Sequence, residues 1–240
     1  MKENGLDWGK LYQLLIDFGV NELIKYQETI EIFLSQEKKT MNSKFYKIEY
    51  LKEENEEYYH DMVDSLSEEY HNYDKFYPNS FRSSIIIQSY SFLEYHLKRI
   101  CDHVCQSQSL KFSLEDLKGN SNIEKSKIYL TNTSVVNIGN FNPEWCFINK
   151  VRILRNSIVH STGEFKIKET KLVNFIKEHG SLSVKDNKED FDKGVDRTYE
   201  VIITDEKLNL EFINQIKTFF GKLTNEAFKK KDKNSLEQSA

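Results

Sequence analysis

Apolar residues recur along most of this chain at steps of three and four, the spacing of helices that bury one face. Ile86, Tyr90, Leu93, Leu97, Ile100 and Val104 alternate those steps and predict a strongly apolar helix from Ile85 to Val104. Trp145, Phe147, Ile148, Val151, Leu154 and Ile158 predict another, with Pro143 and Glu144 suited to its first turn and Ser161-Thr162-Gly163 to its stop. Lys168 to Glu178 reads as a helix halted by Gly180. A closing helix from about Leu208 to Phe228 would bury Leu210, Ile213, Ile216, Phe220 and Leu223. Towards the N-terminus, Leu11 to Leu34 reads as one or two shorter helices around a break at Gly19. Asn42 to Phe76 reads as one long helix burying Tyr58, Met62, Leu66, Tyr70, Tyr73 and Tyr77 and ending before Pro78. The period changes to two only at residues 181–184 and 197–203, which predict two strands joined by a charged loop. Residues 107–142, rich in Ser, Asn, Lys and Thr, carry short helices near Ser113 to Leu117 and Asn122 to Thr131. They form a connector, or alternatively a lid.

The implied fold is mainly α, a helical bundle with a small C-terminal β-hairpin and an N-terminal helical extension. Residues 1–78 form the extension, 79–230 the bundle with its hairpin and closing helix, and 231–240 a polar tail. A chain of 240 residues can bury one good core, and this one is built from Phe, Tyr, Ile and Leu, since Ala occurs only at Ala227 and Ala240. Against 34 basic residues stand 38 acidic ones, a net charge of −4, so any contact with nucleic acid must be local. Glu53, Glu54, Glu56 and Glu57 read as a solvated acidic face, or as a docking surface for a basic partner. A mean hydropathy of −0.64 and the lack of a long apolar run predict no membrane partner. Met1-Lys2-Glu3-Asn4-Gly5 does not read as a signal peptide, and three cysteines suit a reducing compartment, so a cytoplasmic location is expected.

Chemistry concentrates in Arg155-Asn156-Ser157-Ile158-Val159-His160, a cation, a polar neighbour and a base within six residues. A His in the last turn of a helix meets the negative end of the helix dipole, and His is the side chain suited to moving protons near neutral pH. At about 100° per residue, His160, Asn156 and Arg152 form one line opposite the apolar stripe, while Arg155 stands about 140° from His160. The two meet if the helix loosens before Gly163, if the long Arg side chain curls round, or if a second copy completes the site. The simpler reading pairs Arg155 with Glu94 across two helices and leaves His160 as a helix-end residue. Cys101-x-His103-x-Cys105 lacks the converging ligands that zinc needs, so no metal and no cofactor are expected. No phosphate-binding loop, nucleophile elbow or zinc-protease motif is present. His96 reads as a satisfied core or boundary residue, and His60, His71 and His179 have no company that suggests chemistry.

The Arg155–His160 segment resembles the R-x(4–6)-H motif of the HEPN superfamily, helical domains that include RNA-cleaving toxins and antiviral effectors. The helix with Ser91-Phe92-Leu93-Glu94 resembles the one that precedes the motif helix in that family. The resemblance spans about residues 80–230 and leaves out the first 75. It implies a HEPN-like fold and a metal-independent endoribonuclease, a toxin or antiphage effector whose composite site forms in a homodimer. Arg155, Asn156 and His160 would be catalytic, with Glu94 and Arg152 in support. The implied partners are an RNA substrate, a second copy of the chain, and an inhibitory antitoxin or trigger protein. The competing expectation is a catalytically silent helical module that binds protein or nucleotide.

Overall fold

A computed structural model describes residues 7–119, 121–133, 136–186 and 198–228. The polar tail, residues 231–240, and most of the charged loop between the two expected strands lie outside them. Helices dominate, as the spacing predicts. They are α1 (Trp8–Ile48), α2 (Leu51–Glu54), α3 (Glu56–His71), α4 (Tyr77–Ser107), α5 (Asn122–Asn132), α6 (Asn142–Ser161), α7 (Thr170–Glu178) and α8 (Lys207–Ala227).

Gly19 is not a break. It lies inside α1, one uninterrupted helix of 41 residues. A Cβ at Gly19 would stand 2.3 Å from Cε2 of Phe92, so the glycine admits a close ring and its permissive backbone is not used. The expected single helix over 42–76 is divided instead. The end of α1, the short α2 and α3 share it, and Asn55 caps α3 by accepting the Tyr58 amide at 3.1 Å. Of the six residues expected to be buried there, only Leu66 is; Tyr58 and Tyr77 are exposed.

Nor does the helix stop before Pro78. A π-turn over Asn72–Phe76 joins α3 to α4 without a gap, and the Tyr77 amide reaches back five residues to the Asn72 carbonyl. Proline has no N–H to give, and its ring clashes with the carbonyl four residues back. The π-turn loosens the ladder where that happens.

Three strands form one antiparallel sheet in the order β1 (Glu164–Lys166), β3 (Thr198–Ile203), β2 (Leu182–Asp186). The expected pair, β2 and β3, runs in register from Leu182 against Ile203 to Asp186 against Tyr199. The short β1 was not foreseen; it pairs Glu164 with Glu200 and Lys166 with Thr198.

The chain divides into two units, and α1, α4, α6 and α8 contribute residues to both. One comprises Met1–Asn21, Ser91–Ile148 and Asn214–Ala240. Leu93, Leu97, Ile100, Tyr129, Phe141 and Phe219 are fully buried there, with Phe219 edge-on to Phe141 and Trp145. In the same unit the nearly buried Glu144 accepts from the Lys222 ammonium at 2.6 Å.

The other unit comprises Glu22–Tyr90 and Asn149–Ile213. Its sheet is tied to helices by side chains. Arg82 grips both oxygens of Glu31 at 2.7 and 2.8 Å and also donates to the carbonyls of Ile203 and Thr204. Asn79 accepts the Ile203 amide at 2.9 Å. On the π-turn, Asp74 pairs with Lys38 and Lys75, and the Lys38 hydrogen bond holds its carboxyl below the usual range. Among the described residues, no helix is long and apolar enough to cross a membrane.

Candidate functional site

The segment Arg155–His160 occupies the last turns of α6, and the helix remains regular through Ser161. It therefore does not loosen before Gly163. Ile148, Val151 and Leu154 are fully buried, Ile158 is half-buried, and Asn156 and His160 are exposed. Of the polar line predicted opposite the apolar stripe, Asn156 and His160 thus face outward, while its third member, Arg152, is half-buried, as is Arg155 off the line.

Arg155 has an aromatic seat. Its guanidinium carbon lies 5.4 Å from the centre of the Tyr90 ring, and Nη1 donates to Oδ1 of Asn156 at 3.2 Å. The ring face holds one side of the cation by its quadrupole, which limits where the planar group can turn. The bond to Asn156 brings one corner of the guanidinium towards the line that carries His160. Nε of Arg155 is buried and has no hydrogen-bond partner among the described residues. The three-four pattern of α4 marks Tyr90 only as a core position, because it explains the burial of the ring without reference to Arg155.

Beyond His160 the helix end is fixed. Thr162 and Gly163 take left-handed backbone, φ 52° and 88°, and the Gly163 amide donates to the Ser157 carbonyl at 3.0 Å. Ser157 Oγ donates to the Glu164 carbonyl at 3.1 Å, and the Val201 amide donates to the Gly163 carbonyl at 3.0 Å. The turn after His160 thereby feeds straight into β1. Glu94, the expected partner of Arg155, is half-buried on the part of α4 that belongs to the first unit, while Arg152 to His160 belong to the second.

The other histidines serve the fold. His179 keeps company of a structural kind. Its Nδ1 accepts the Ser181 amide at 3.2 Å, and its Nε2 lies 3.1 Å from a Glu211 carboxylate oxygen. With one nitrogen accepting and the other donating, the ring has no free atom for a substrate proton, so the pair fixes the turn between α7 and β2. His96 is buried among Phe92, Tyr95 and Phe220, and its Nδ1 lacks a hydrogen-bond partner among the described residues. Burial, with a smaller push from Arg99, lowers its pKa to about 4. His103 packs between Trp8 and Phe228, and burial pushes the Cys101 thiol up to about 12. No cluster of three metal-ligating side chains occurs among the described residues.

A smaller and a larger cleft open among the described residues of the second unit. One, of about 420 Å³, lies between the π-turn and the sheet face carrying Ser183, Lys185, Glu200 and Ile202. The other, of about 670 Å³, runs along α1 beside the start of α8. The candidate catalytic residues line neither. Compared with known proteins, the chain matches no family model, no curated protein and no solved structure.

Proposed function

We propose that this protein is a HEPN-like, metal-independent endoribonuclease whose site is completed by a second copy of the chain. The observation that carries the reading is the local arrangement on α6: His160 and Asn156 exposed on one line, with Arg155 seated on Tyr90 and bonded to Asn156. A proton-transfer group and a polar orienting group then share one solvent-facing line, and the half-buried planar cation reaches its edge through Asn156.

In the proposed reaction, neutral His160 takes the proton from a ribose 2′-hydroxyl, and that oxygen attacks the adjacent phosphorus. Arg155 donates to the phosphorane oxygens as charge grows on them, and Asn156 orients the phosphate or the imidazole. The P–O5′ bond breaks, and the leaving oxygen takes a proton from the protonated imidazole of the partner subunit's His160. The products are a 2′,3′-cyclic phosphate and a 5′-hydroxyl. Arg152 contributes to RNA binding and Glu94 to positioning. The biological setting proposed is a toxin or antiphage effector held by an inhibitor or released by a trigger.

The test is single-turnover cleavage of mixed-sequence RNA by the full chain in excess EDTA. Cleavage in EDTA that leaves a cyclic phosphate is the expected result. Activity that disappears with chelator and returns with a divalent ion overturns the mechanism. No cleavage of any RNA by a folded protein favours a binding module.

A further inference from the structure

The larger groove carries an unmet chemical demand. It is lined along α1 by Gln27, Glu28, Glu31 and Ile32 and at the start of α8 by Glu206 and Leu210. Glu31 is already neutralised, since both its oxygens accept from Arg82. Glu28 is exposed and Glu206 half-exposed, and neither has an ion pair among the described residues. Lys39 lines the far end, about three helical turns from Glu28.

Gln27 supplies an independent indication. Its residue is only 1% exposed, and its Nε2 donates to the Glu206 carbonyl at 3.0 Å. Because that carbonyl can only accept, the amide orientation is fixed, and Oε1 must be the other atom. Oε1 has no hydrogen-bond partner among the described residues. A buried amide oxygen without a donor is costly, and a ligand that brings an N–H relieves the cost.

We propose that this groove binds a primary ammonium group. Its three donors would serve Gln27 Oε1 and the carboxylates of Glu28 and Glu206, and its methylene stem would lie on Ile32 and Leu210. The apolar pair argues for an organic cation, because a hydrated metal ion gains nothing from it. The same chemistry is carried by a free polyamine and by a lysine side chain of another protein. This site is independent of the ribonuclease reading.

The experiment uses the full chain labelled with ¹⁵N and follows the Gln27 side-chain amide resonances. Spermidine and N-acetyl-lysine methylamide are titrated separately, with magnesium chloride at matched ionic strength as control. The expected result is a saturable shift of the Gln27 amide with an amine and none with magnesium. A Glu28→Gln, Glu206→Gln double variant with an unchanged thermal melt is expected to bind about tenfold more weakly or worse. Tighter binding of spermidine assigns the site to a free polyamine, and equal binding assigns it to a single ammonium such as a lysine side chain. The proposal is overturned by no response to either amine, by an equal response to magnesium, or by undiminished binding in the double variant.

Discussion

Arg155 rests on one aromatic face and reaches one amide, and this seat separates it from Arg152, which shares the line of His160. In single-turnover assays His160→Ala is expected to lower cleavage by about 10²–10⁴-fold without unfolding the protein. Arg155→Lys should lose about 10²–10³-fold, because an ammonium cannot present two coplanar donors to a phosphate. Arg152→Ala should weaken binding mildly and reduce the salt dependence by about one phosphate contact while sparing the chemical step. An inactive Arg152→Ala beside an active Arg155→Ala, both folded, would reverse the assignment. Tyr90 is a positioning residue in this scheme. Tyr90→Phe keeps the ring face and should retain cleavage, whereas Tyr90→Leu should lower kcat at temperatures where the variant is still fully folded. Equal loss in both variants would remove Tyr90 from the account. His96 makes a separate prediction. Its folded pKa of about 4 lies below the unfolded value of about 6.5, so the unfolded chain binds more protons between them. Its contribution is complete above pH 6.5 and is lost as the pH falls through 4, at most about 3 kcal/mol. His96→Phe should flatten the acid limb of a Tm-against-pH curve, and an unchanged limb would show that other groups set it.

At the level of elements, Gly19 tests whether packing or helix propensity governs α1. Alanine in mid-helix gains about 1 kcal/mol over glycine by propensity alone. At 2.3 Å from Phe92, however, the new Cβ forces a ring to move, a cost of about 1–3 kcal/mol or more. Gly19→Ala is therefore expected to destabilise, and Phe92→Leu in the same chain to restore much of the loss in chemical denaturation. Additive effects of the two substitutions would refute the contact. The same element shows why the spacing suggests a break there: it detects faces, and a glycine that admits a close neighbour looks the same in sequence as one that makes a turn. The stripes of α4, α6 and α8 were legible because α4 alternates four and three without interruption and the other two keep their apolar residues on one helical face, and the β2–β3 pair because its period changes. By contrast, β1 has three residues, too few for a period, and the π-turn is a property of hydrogen bonding that side-chain spacing does not record. At the candidate site, the outward line of Asn156 and His160 was legible from helix geometry. The Tyr90 seat was not, because it joins helices far apart in sequence.

For the molecule as a whole, a net charge of −4 leaves RNA affinity to local groups, so the second copy proposed for the site matters for binding as well as for chemistry. If the site is composite, the chain should be a dimer at micromolar concentration, joined through the outward face of α6 with an interface above roughly 1,000 Å². Sedimentation equilibrium checks this, and a strictly monomeric mass with undiminished cleavage would contradict it. The π-turn at Asn72–Phe76 bears on how the chain tolerates changes in length. A π-turn holds one residue more than the α-helical turn it replaces. Deleting one residue there lets the turn close as an ordinary α-helical turn, so α3 and α4 keep nearly the phase they have now. Deleting one residue from a regular turn of either helix would instead screw one against the other by about 100° and 1.5 Å, and Leu66 would arrive out of phase with the side chains after Pro78. The surplus residue is slack in the chain, a place where a residue can be lost without a change of angle.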